Sequence, residues 1–269
     1  MASRTEQKAA ARAAREAKQA SLKADAKRRQ RIYGLGTIVV VAVVALAAVI
    51  IASSSGGGSK VKPKPTKTAL TEINNELAGI HQSGNVLGDP AAKITITFYG
   101  DLVCPVCAEF TQTTEPAIIA NLIKTGKAKL VYRGFETASG TANNSEYVPS
   151  QVAARAAGLQ HLEWNYILLA YFVQPQTISG TPAEDVSYIT TAYLQGVAAK
   201  IKGLDLAKWQ ANTTNQALAK AVAADGTAAR AAGATGTPTL VVTGPNGTFR
   251  DPNVIPTLAQ VQADIKAVS

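Results

Sequence analysis

The chain of 269 residues contains two cysteines, Cys104 and Cys107, with Pro105 and Val106 between them. A C-x-x-C motif directly after a strand-like segment, here residues 93–98, is typical of a dithiol that cycles to a disulfide. The first cysteine of such a motif lies in the first turn of a helix, where unpaired N–H groups and the helix dipole favour a thiolate. Pro105 suits that turn because its missing N–H would have no partner inside the helix. The motif therefore predicts a redox-active pair.

The segments around the cysteines predict a β-α-β unit. Residues 93–100 alternate between apolar and polar side chains, which predicts a strand, and residues 129–135 predict a second strand. Between them, residues 104–125 form a predicted helix that Pro116 should kink. Strand, helix and strand at this spacing predict two parallel strands joined by a right-handed crossover.

The rest of the domain is predicted to be mostly helical. Helices are expected at residues 71–81, 151–172, 182–202, 206–223 and 255–268, and short strands at residues 84–87, 239–243 and 248–251, the last two joined by a turn. The block from residue 151 to residue 223 carries no strand signal. We therefore expect it to be a helical insertion.

An apolar segment, residues 34–52, is free of charge and long enough to cross a bilayer as a helix. Ten basic and three acidic residues precede it, a net charge of +7, which leaves +2 of the total +9 for the rest of the chain. The positive-inside rule then places the N-terminus, residues 1–33, in the cytoplasm and the bulk of the chain outside. A cleaved signal peptide is the alternative, and it would also place the domain outside the cytoplasm.

The basic charge is a property of the N-terminal segment and gives no reason to expect nucleic acid on the folded domain; a nucleic-acid-binding arm is the alternative for residues 1–31. Residues 53–67, SSSGGGSKVKPKPTK, predict a flexible linker with a mean span of about 20 Å. Residues 68–269 are enough for one domain with a substantial core.

Both cysteines belong to one motif, which agrees with an oxidising compartment, where a stray thiol is a liability. A zinc site is the competing interpretation, with Cys104, Cys107, His81 and His161 as four ligands. Because the histidine spacing fits no common zinc pattern, we expect no metal.

Three segments resemble the DsbA-like branch of the thioredoxin fold: residues 84–110, 115–135 and 228–248. The Cys-Pro-x-Cys motif and the later Gly-Thr-Pro motif are specific to it in combination. The likeness runs from about residue 84 to residue 268. It is weakest in the helical block, where residues 155–164 are similar to the insertion helix of that family.

The resemblance implies an α/β protein with a thioredoxin fold and an all-helical insertion, at about residues 146–229, between its β-α-β and β-β-α halves. Thr237 and Pro238 would form a cis-proline loop opposite the cysteines and, with Pro105 and Val106, bind an extended substrate strand. A trans proline at the start of a strand is the alternative. Asp101 stands where this family often has aspartate, to relay a proton or to cap the helix.

The function that follows is a membrane-anchored, extracytoplasmic enzyme that exchanges a Cys104–Cys107 disulfide with cysteines of exported proteins. We expect Cys104 to be exposed and Cys107 to be its buried partner. Oxidation of the substrate is the favoured direction. A reductase or isomerase is the alternative, because the resemblance extends to relatives of those types, in which threonine, here Thr237, also precedes this proline. A non-catalytic interaction or chaperone module is the third interpretation. No cofactor is required, but a membrane redox partner must restore the pair.

The chain departs from the best-known family member at Val106, where that protein has histidine. Because valine donates neither a hydrogen bond nor charge to a thiolate, we expect Cys104 to be less acidic and the pair to be a weaker oxidant. Titration of the thiolate absorbance measures this directly. An apparent pKa of about 4 for Cys104 would contradict the expectation.

Overall fold

A six-stranded sheet lies at the centre of the described part of the chain, which in this computed structural model comprises residues 63–137, 146–175 and 188–269. Its strands are β1 (Gln82–Ser83), β2 (Val86–Leu87), β3 (Thr95–Gly100), β4 (Lys129–Gly134), β5 (Thr239–Gly244) and β6 (Gly247–Arg250). The order across the sheet is β1-β2-β4-β3-β5-β6. β3 and β4 are parallel, whereas the other neighbouring pairs are antiparallel. The predicted parallel pair is therefore confirmed.

Helices cover the sheet and fill the long connection between β4 and β5. They are α1 (Thr66–Leu77), α2 (Pro105–Thr113), α3 (Glu115–Ile118) with a π-helical turn after it (Ile119–Ile123), α4 (Tyr147–Gly158), α5 (Glu163–Val173), α6 (Thr191–Ala198), α7 (Leu206–Asn212), α8 (Gln216–Ala231) and α9 (Leu258–Val268). The described residues between β4 and β5 contain no strand. This agrees with the predicted helical insertion.

The helix that carries the cysteine motif is broken, not merely kinked. α2 ends at Thr113, and α3 begins at Glu115 with Pro116 in its first turn. Proline lacks an N–H and its ring clashes with the carbonyl four residues earlier, so it fits the first turn of a new helix better than the interior of a long one. The predicted helix over residues 104–125 is therefore three short segments.

Two other predicted helices are also divided. The helix expected at residues 151–172 is α4 followed by α5, and in the break His161 has a left-handed φ of 59°. The helix expected at residues 206–223 is α7 followed by α8, which begins where the Asn215 side chain accepts a hydrogen bond from the N–H of Ala217. Of the helix expected at residues 182–202, residues 182–187 lie outside the described residues.

The predicted N-terminal segment, transmembrane span and most of the linker also lie outside the described residues. Among the residues that are described, no helix is both long and apolar enough to cross a bilayer. The linker's last residues are ordered: the Lys64 N–H donates to the Phe172 carbonyl at 2.7 Å, and the Lys64 ammonium lies 4.5 Å from the Phe172 ring centre. α1 starts at Thr66, inside the predicted linker.

An aromatic cluster joins the sheet to the helical insertion. Phe98 on β3 is fully buried, and its ring centre lies 4.9 Å from that of Phe110, 5.4 Å from Tyr132 and 6.3 Å from Tyr171. Tyr171 belongs to α5, so the insertion packs directly on the central strand. Trp164 on the same helix is also buried.

Gly100, the last residue of β3, has no room for a side chain. A Cβ there would lie 2.7 Å from the Tyr171 hydroxyl oxygen and 2.9 Å from Cε2 of Tyr132. The Tyr171 hydroxyl is held by the carbonyl of Asp101 at 3.1 Å, so it cannot move without losing that bond. We expect Gly100→Ala to lower the free energy of unfolding by about 2 kcal/mol.

Urea denaturation measures this change, with Gly226→Ala as the control. Gly226 lies inside α8, where a Cβ would be 3.6 Å from the Arg230 side chain, an ordinary contact. Alanine is the better helix former by about 1 kcal/mol, so the control should be neutral or stabilising. Equal destabilisation by both substitutions would contradict the packing described around Gly100.

Candidate active site

Three loops meet at one edge of the sheet. In the parallel pair, Gly100 of β3 is level with Gly134 of β4, and in the antiparallel pair Tyr99 is level with Thr239 of β5. The loop after β3, the loop after β4 and the loop before β5 therefore emerge side by side. The carboxyl end of a central parallel strand is a common place for a functional site.

Cys104 ends the first of these loops and is the N-cap of α2. Its N–H donates to the Asp101 carbonyl at 2.9 Å, and its own carbonyl accepts the first helical hydrogen bond, from Ala108, at 3.1 Å. Pro105 is the first helical residue, as predicted. The helix N-terminus thus lies at the Cys104 side chain, where its dipole favours a thiolate.

The loop before β5 faces Cys104. The Thr237–Pro238 peptide bond is cis, which confirms the prediction. The Cys104 sulfur donates to the carbonyl oxygen of Thr237 at 3.5 Å. Residues 133 positions apart in the chain are therefore in contact at the centre of the site.

The two cysteines differ in accessibility, although by less than the motif suggests. Cys107 is fully buried, which agrees with the prediction, and 4% of Cys104 is exposed. The expectation of an exposed Cys104 is wrong, because this residue belongs to the same buried cluster as Leu102 and Val103. Its sulfur is also in contact with the Thr237 carbonyl oxygen. Cys104 is still the more accessible cysteine of the pair.

The environment of Cys107 favours its protonated form. Burial raises the pKa of the Cys107 thiol well above its usual value, and the neighbouring Cys104 raises it further, while hydrogen bonds from the Asp101 backbone and the Thr237 side chain act in the opposite direction. Cys104 and Cys107 are not joined by a disulfide in the structure. Cys107 is therefore a neutral thiol in the reduced protein at neutral pH.

Asp101 is fully buried and orders the loop that precedes Cys104. Its carboxylate accepts from the N–H of Val103 at 3.3 Å and from the N–H of Thr137 at 3.0 Å. Val103 comes one residue before the N-cap, so this bond closes a turn in the loop and does not belong to the helix. Asp101 thereby links the loop after β3 to the loop after β4.

Thr137 is a site residue that the sequence analysis missed. Its hydroxyl lies 2.5 Å from the hydroxyl of Thr237, and its N–H is the one held by Asp101. Nothing in the residues around Thr137 marks it, since its importance comes from the meeting of three loops that are far apart in the chain. The parallel pairing of β3 and β4 was the available signal.

Pro105 and Val106 lie beside the cysteines, as their place in the motif requires. Pro105 is buried, and Val106 is partly exposed while packing against the core. Within the described ranges, no group of three or more histidine, cysteine, aspartate or glutamate side chains is arranged to hold a metal ion. His161, one of the four ligands considered for zinc, lies with Nδ1 3.1 Å from the carbonyl oxygen of Gln82.

Comparisons with known proteins agree with this architecture. A sequence model of a family described as thioredoxin matches residues 81–257, while no curated protein matches the sequence at a significant level. The oxidised form of BdbD from Bacillus subtilis superposes with a TM-score of 0.56 at 18% identity, covering 77% of this chain and 96% of that one. DsbA2 from Pseudomonas aeruginosa gives 0.52 at 21% identity, covering 71% and 97%.

MdbA, a thiol-disulfide oxidoreductase from Corynebacterium diphtheriae, gives a TM-score of 0.52 at 21% identity, covering 68% of this chain and 93% of that one. The fold and the paired cysteines define a thioredoxin-fold protein with a helical insertion. Because the family match spans more than half of its length, the chain belongs to the thioredoxin family. The structural similarities confirm the DsbA-like fold that the two motifs predicted.

Proposed function

We propose that this chain is an extracytoplasmic thiol-disulfide oxidoreductase, tethered to the membrane by residues 34–52, which exchanges a Cys104–Cys107 disulfide with cysteines of exported proteins. It acts as an oxidase. The observation that carries the proposal is the 3.5 Å contact between the Cys104 sulfur and the Thr237 carbonyl next to the cis peptide bond. A substrate segment lying along this loop would have its own sulfur beside Cys104.

In the first step, a substrate thiolate attacks the Cys104 sulfur of the Cys104–Cys107 disulfide. A bond forms between the substrate sulfur and Cys104, the Cys104–Cys107 bond breaks, and Cys107 leaves with the electron pair as a thiolate. Cys104 is the sulfur attacked because Cys107 is fully buried. Cys107 then takes up a proton, since its buried surroundings favour the neutral thiol.

In the second step, another thiolate of the substrate attacks the substrate's own sulfur in the mixed disulfide. The substrate disulfide forms, and Cys104 leaves as a thiolate at the N-terminus of α2, whose dipole stabilises it. The substrate has lost two electrons and two protons, and the enzyme has gained two electrons. A membrane redox partner must remove these electrons before the next cycle.

We assign substrate binding to the surface around the cysteine motif and the cis-proline loop. Thr237 supplies backbone hydrogen-bonding groups for an extended segment, while Pro238, Pro105 and Val106 supply apolar contacts next to the sulfur. Main-chain hydrogen bonds of this kind bind many different sequences, which suits an enzyme that acts on many exported proteins. Val106 is the most accessible of the apolar three.

The cellular redox state of the pair tests the direction. Cells that express the full-length chain are quenched with acid, and free thiols are alkylated with a reagent that adds mass. We expect most of the protein to be in the disulfide form, with Cys107→Ser as the control that cannot form it. A pair that is mostly dithiol would overturn the oxidase assignment in favour of a reductase or isomerase.

The location and the need for redox chemistry have separate tests. A membrane-impermeant maleimide applied to intact cells, after reduction, should label Cys104 if the domain lies outside the cytoplasm. If Cys104 is labelled in lysed cells but stays unlabelled in intact cells, that location is contradicted. If the double variant Cys104→Ser/Cys107→Ser still supports the function of the chain in the cell, a non-catalytic interaction module is the better description.

A further inference from the structure

Thr137 connects the two loops that flank the cysteine pair. Its N–H donates to Oδ2 of Asp101 at 3.0 Å, and its hydroxyl oxygen lies 2.5 Å from the hydroxyl oxygen of Thr237. Asp101 precedes the cysteine helix, and Thr237 precedes the cis-proline. The N–H and the hydroxyl of Thr137 thus both bind residues of the site.

The direction of the hydrogen bond between the two hydroxyls matters, because each carries one proton. If Thr237 donates to Thr137, it has no proton left for a sulfur atom. If Thr137 donates to Thr237, the proton of Thr237 is free to point at the cysteine pair. A hydrogen bond to a sulfur that becomes negative is charge-assisted and therefore stronger than one between neutral hydroxyls.

Cys107 is the sulfur that needs this donor. It is fully buried, so water does not reach it when it is released as a thiolate. The Thr237 side chain hydrogen-bonds to Cys107 and opposes the effect of burial on the pKa of that thiol. A thiolate that is better stabilised is a better leaving group, so this contact affects the rate of exchange.

We propose that Thr137 is a positioning residue for the exchange reaction: its hydroxyl donates to Thr237, and the Thr237 hydroxyl in turn donates to the Cys107 sulfur as the Cys104–Cys107 bond breaks. The role rests on the proposed function and deepens it. In the reductase direction, the same two hydrogen bonds stabilise the Cys107 thiolate when that thiolate attacks the mixed disulfide.

The effect of Thr137 is kinetic. Cys107 is part of a neutral disulfide before exchange and a neutral thiol afterwards, so the charge-assisted bond exists only while the thiolate is present. Removing the Thr137 hydroxyl therefore slows exchange in both directions and leaves the equilibrium between disulfide and dithiol almost unchanged. A general structural defect would disturb the equilibrium as well.

The test uses the full-length chain purified in detergent, in the wild-type form and as Thr137→Val and Thr137→Ser. The oxidised protein is mixed with dithiothreitol, quenched with acid at successive times, alkylated and weighed by mass spectrometry. We expect Thr137→Val to react roughly fivefold more slowly, the size of one hydrogen bond between neutral groups. Thr137→Ser, which keeps the hydroxyl, should react at nearly the wild-type rate.

Two further measurements separate positioning from folding. The equilibrium constant with glutathione should change by less than about twofold in Thr137→Val, because Cys107 is neutral in both the disulfide and the dithiol form. When Thr137→Val is added to Thr237→Val, exchange should not slow further, since Thr137 acts through Thr237. If Thr137→Val proves unstable on thermal denaturation, Thr137→Ala provides a second variant without the hydroxyl.

The proposal is overturned if Thr137→Val exchanges within about twofold of the wild-type rate, or if it slows exchange equally with and without Thr237. It is also overturned if Thr137→Ser is as slow as Thr137→Val. A wild-type chain that does not exchange with dithiothreitol at all would instead overturn the proposed function. The two failures are therefore distinguishable.

Discussion

A full-length chain with Cys107 replaced by alanine should accumulate mixed disulfides through Cys104. In this variant Cys104 still reaches a substrate sulfur, but no buried thiol is left to resolve the bond when Cys104 attacks an oxidised substrate. The adducts should appear as high-mass bands on non-reducing gels of cell extracts and disappear on reduction. Turnover of a dithiol peptide should be lost completely.

Cys104→Ser is the matched control for the trapping experiment. It keeps Cys107, but that cysteine is fully buried and should form no adducts with proteins. Mass spectrometry of the trapped bands should identify peptides joined to Cys104. Adducts of equal abundance in Cys104→Ser, or none in Cys107→Ala, would contradict the assignment of Cys104 as the attacking and Cys107 as the resolving cysteine.

The stability of the domain should fall as the pH rises from about 4.5 to about 7, with Glu163 as a principal cause. Glu163 is the first residue of α5 and is 2% exposed. Burial raises the pKa of its carboxyl group to about 7, with Arg155 acting in the opposite direction and Asp225 in the same direction. The ionised form is therefore disfavoured in the folded protein.

The sign of the effect follows from the two pKa values of Glu163. Below about pH 4.5 the carboxyl is protonated in both the folded and the unfolded chain, and its contribution is fully present. Above that pH the unfolded chain releases the proton while the folded chain retains it up to about pH 7. The loss of stability across this window is about 3 kcal/mol from this residue, at 1.36 kcal/mol per pH unit.

Urea denaturation of wild type and Glu163→Gln at pH 5 and pH 8 measures the loss. Glutamine keeps the size of the side chain and cannot ionise, so the variant should lose about 3 kcal/mol less than wild type between these pH values. Asp89→Asn, which removes an exposed carboxyl group, should follow the wild-type curve. Identical pH dependence in wild type and Glu163→Gln would contradict the raised pKa.

Some pH dependence should survive in Glu163→Gln. Burial raises the pKa of Glu76 to about 7 and that of Glu115 well above its usual value, and the Glu76 charge raises the pKa of Glu115 further. No hydrogen-bond partner is present for either oxygen of Glu115 within the described part of the molecule. The protonated form of Glu115 is therefore favoured in the folded protein.

The centre of the fold was predictable because its signals are local. The alternation before Cys104, the helix pattern after it and the next apolar run together indicate a β-α-β unit, and the structure has it. The position of Pro105 at the first helical residue follows from the same local chemistry. The cis bond at Pro238 was predictable because the Cys-Pro-x-Cys and Gly-Thr-Pro motifs together resemble one family. Neither motif alone would support that prediction.

The helix breaks and the depth of the cysteines were not predictable in the same way. The break between α4 and α5 is made at His161, a residue with no intrinsic need for a left-handed conformation, so tertiary packing decides it. The low exposure of Cys104 depends on Leu102, Val103 and Thr237, of which the last is distant in sequence. Thr137 gains its position from the same convergence of loops.

The most direct test of the account is a glutathione titration of the full-length chain. The protein is equilibrated in buffers of increasing oxidising strength, quenched, alkylated and analysed by mass spectrometry. We expect the thiols of Cys104 and Cys107 to be lost together, in one two-electron transition that yields a single disulfide between them. This transition should be absent from Cys104→Ser. Two thiols that remain free in a fully oxidising buffer, or that react independently with glutathione, would contradict it.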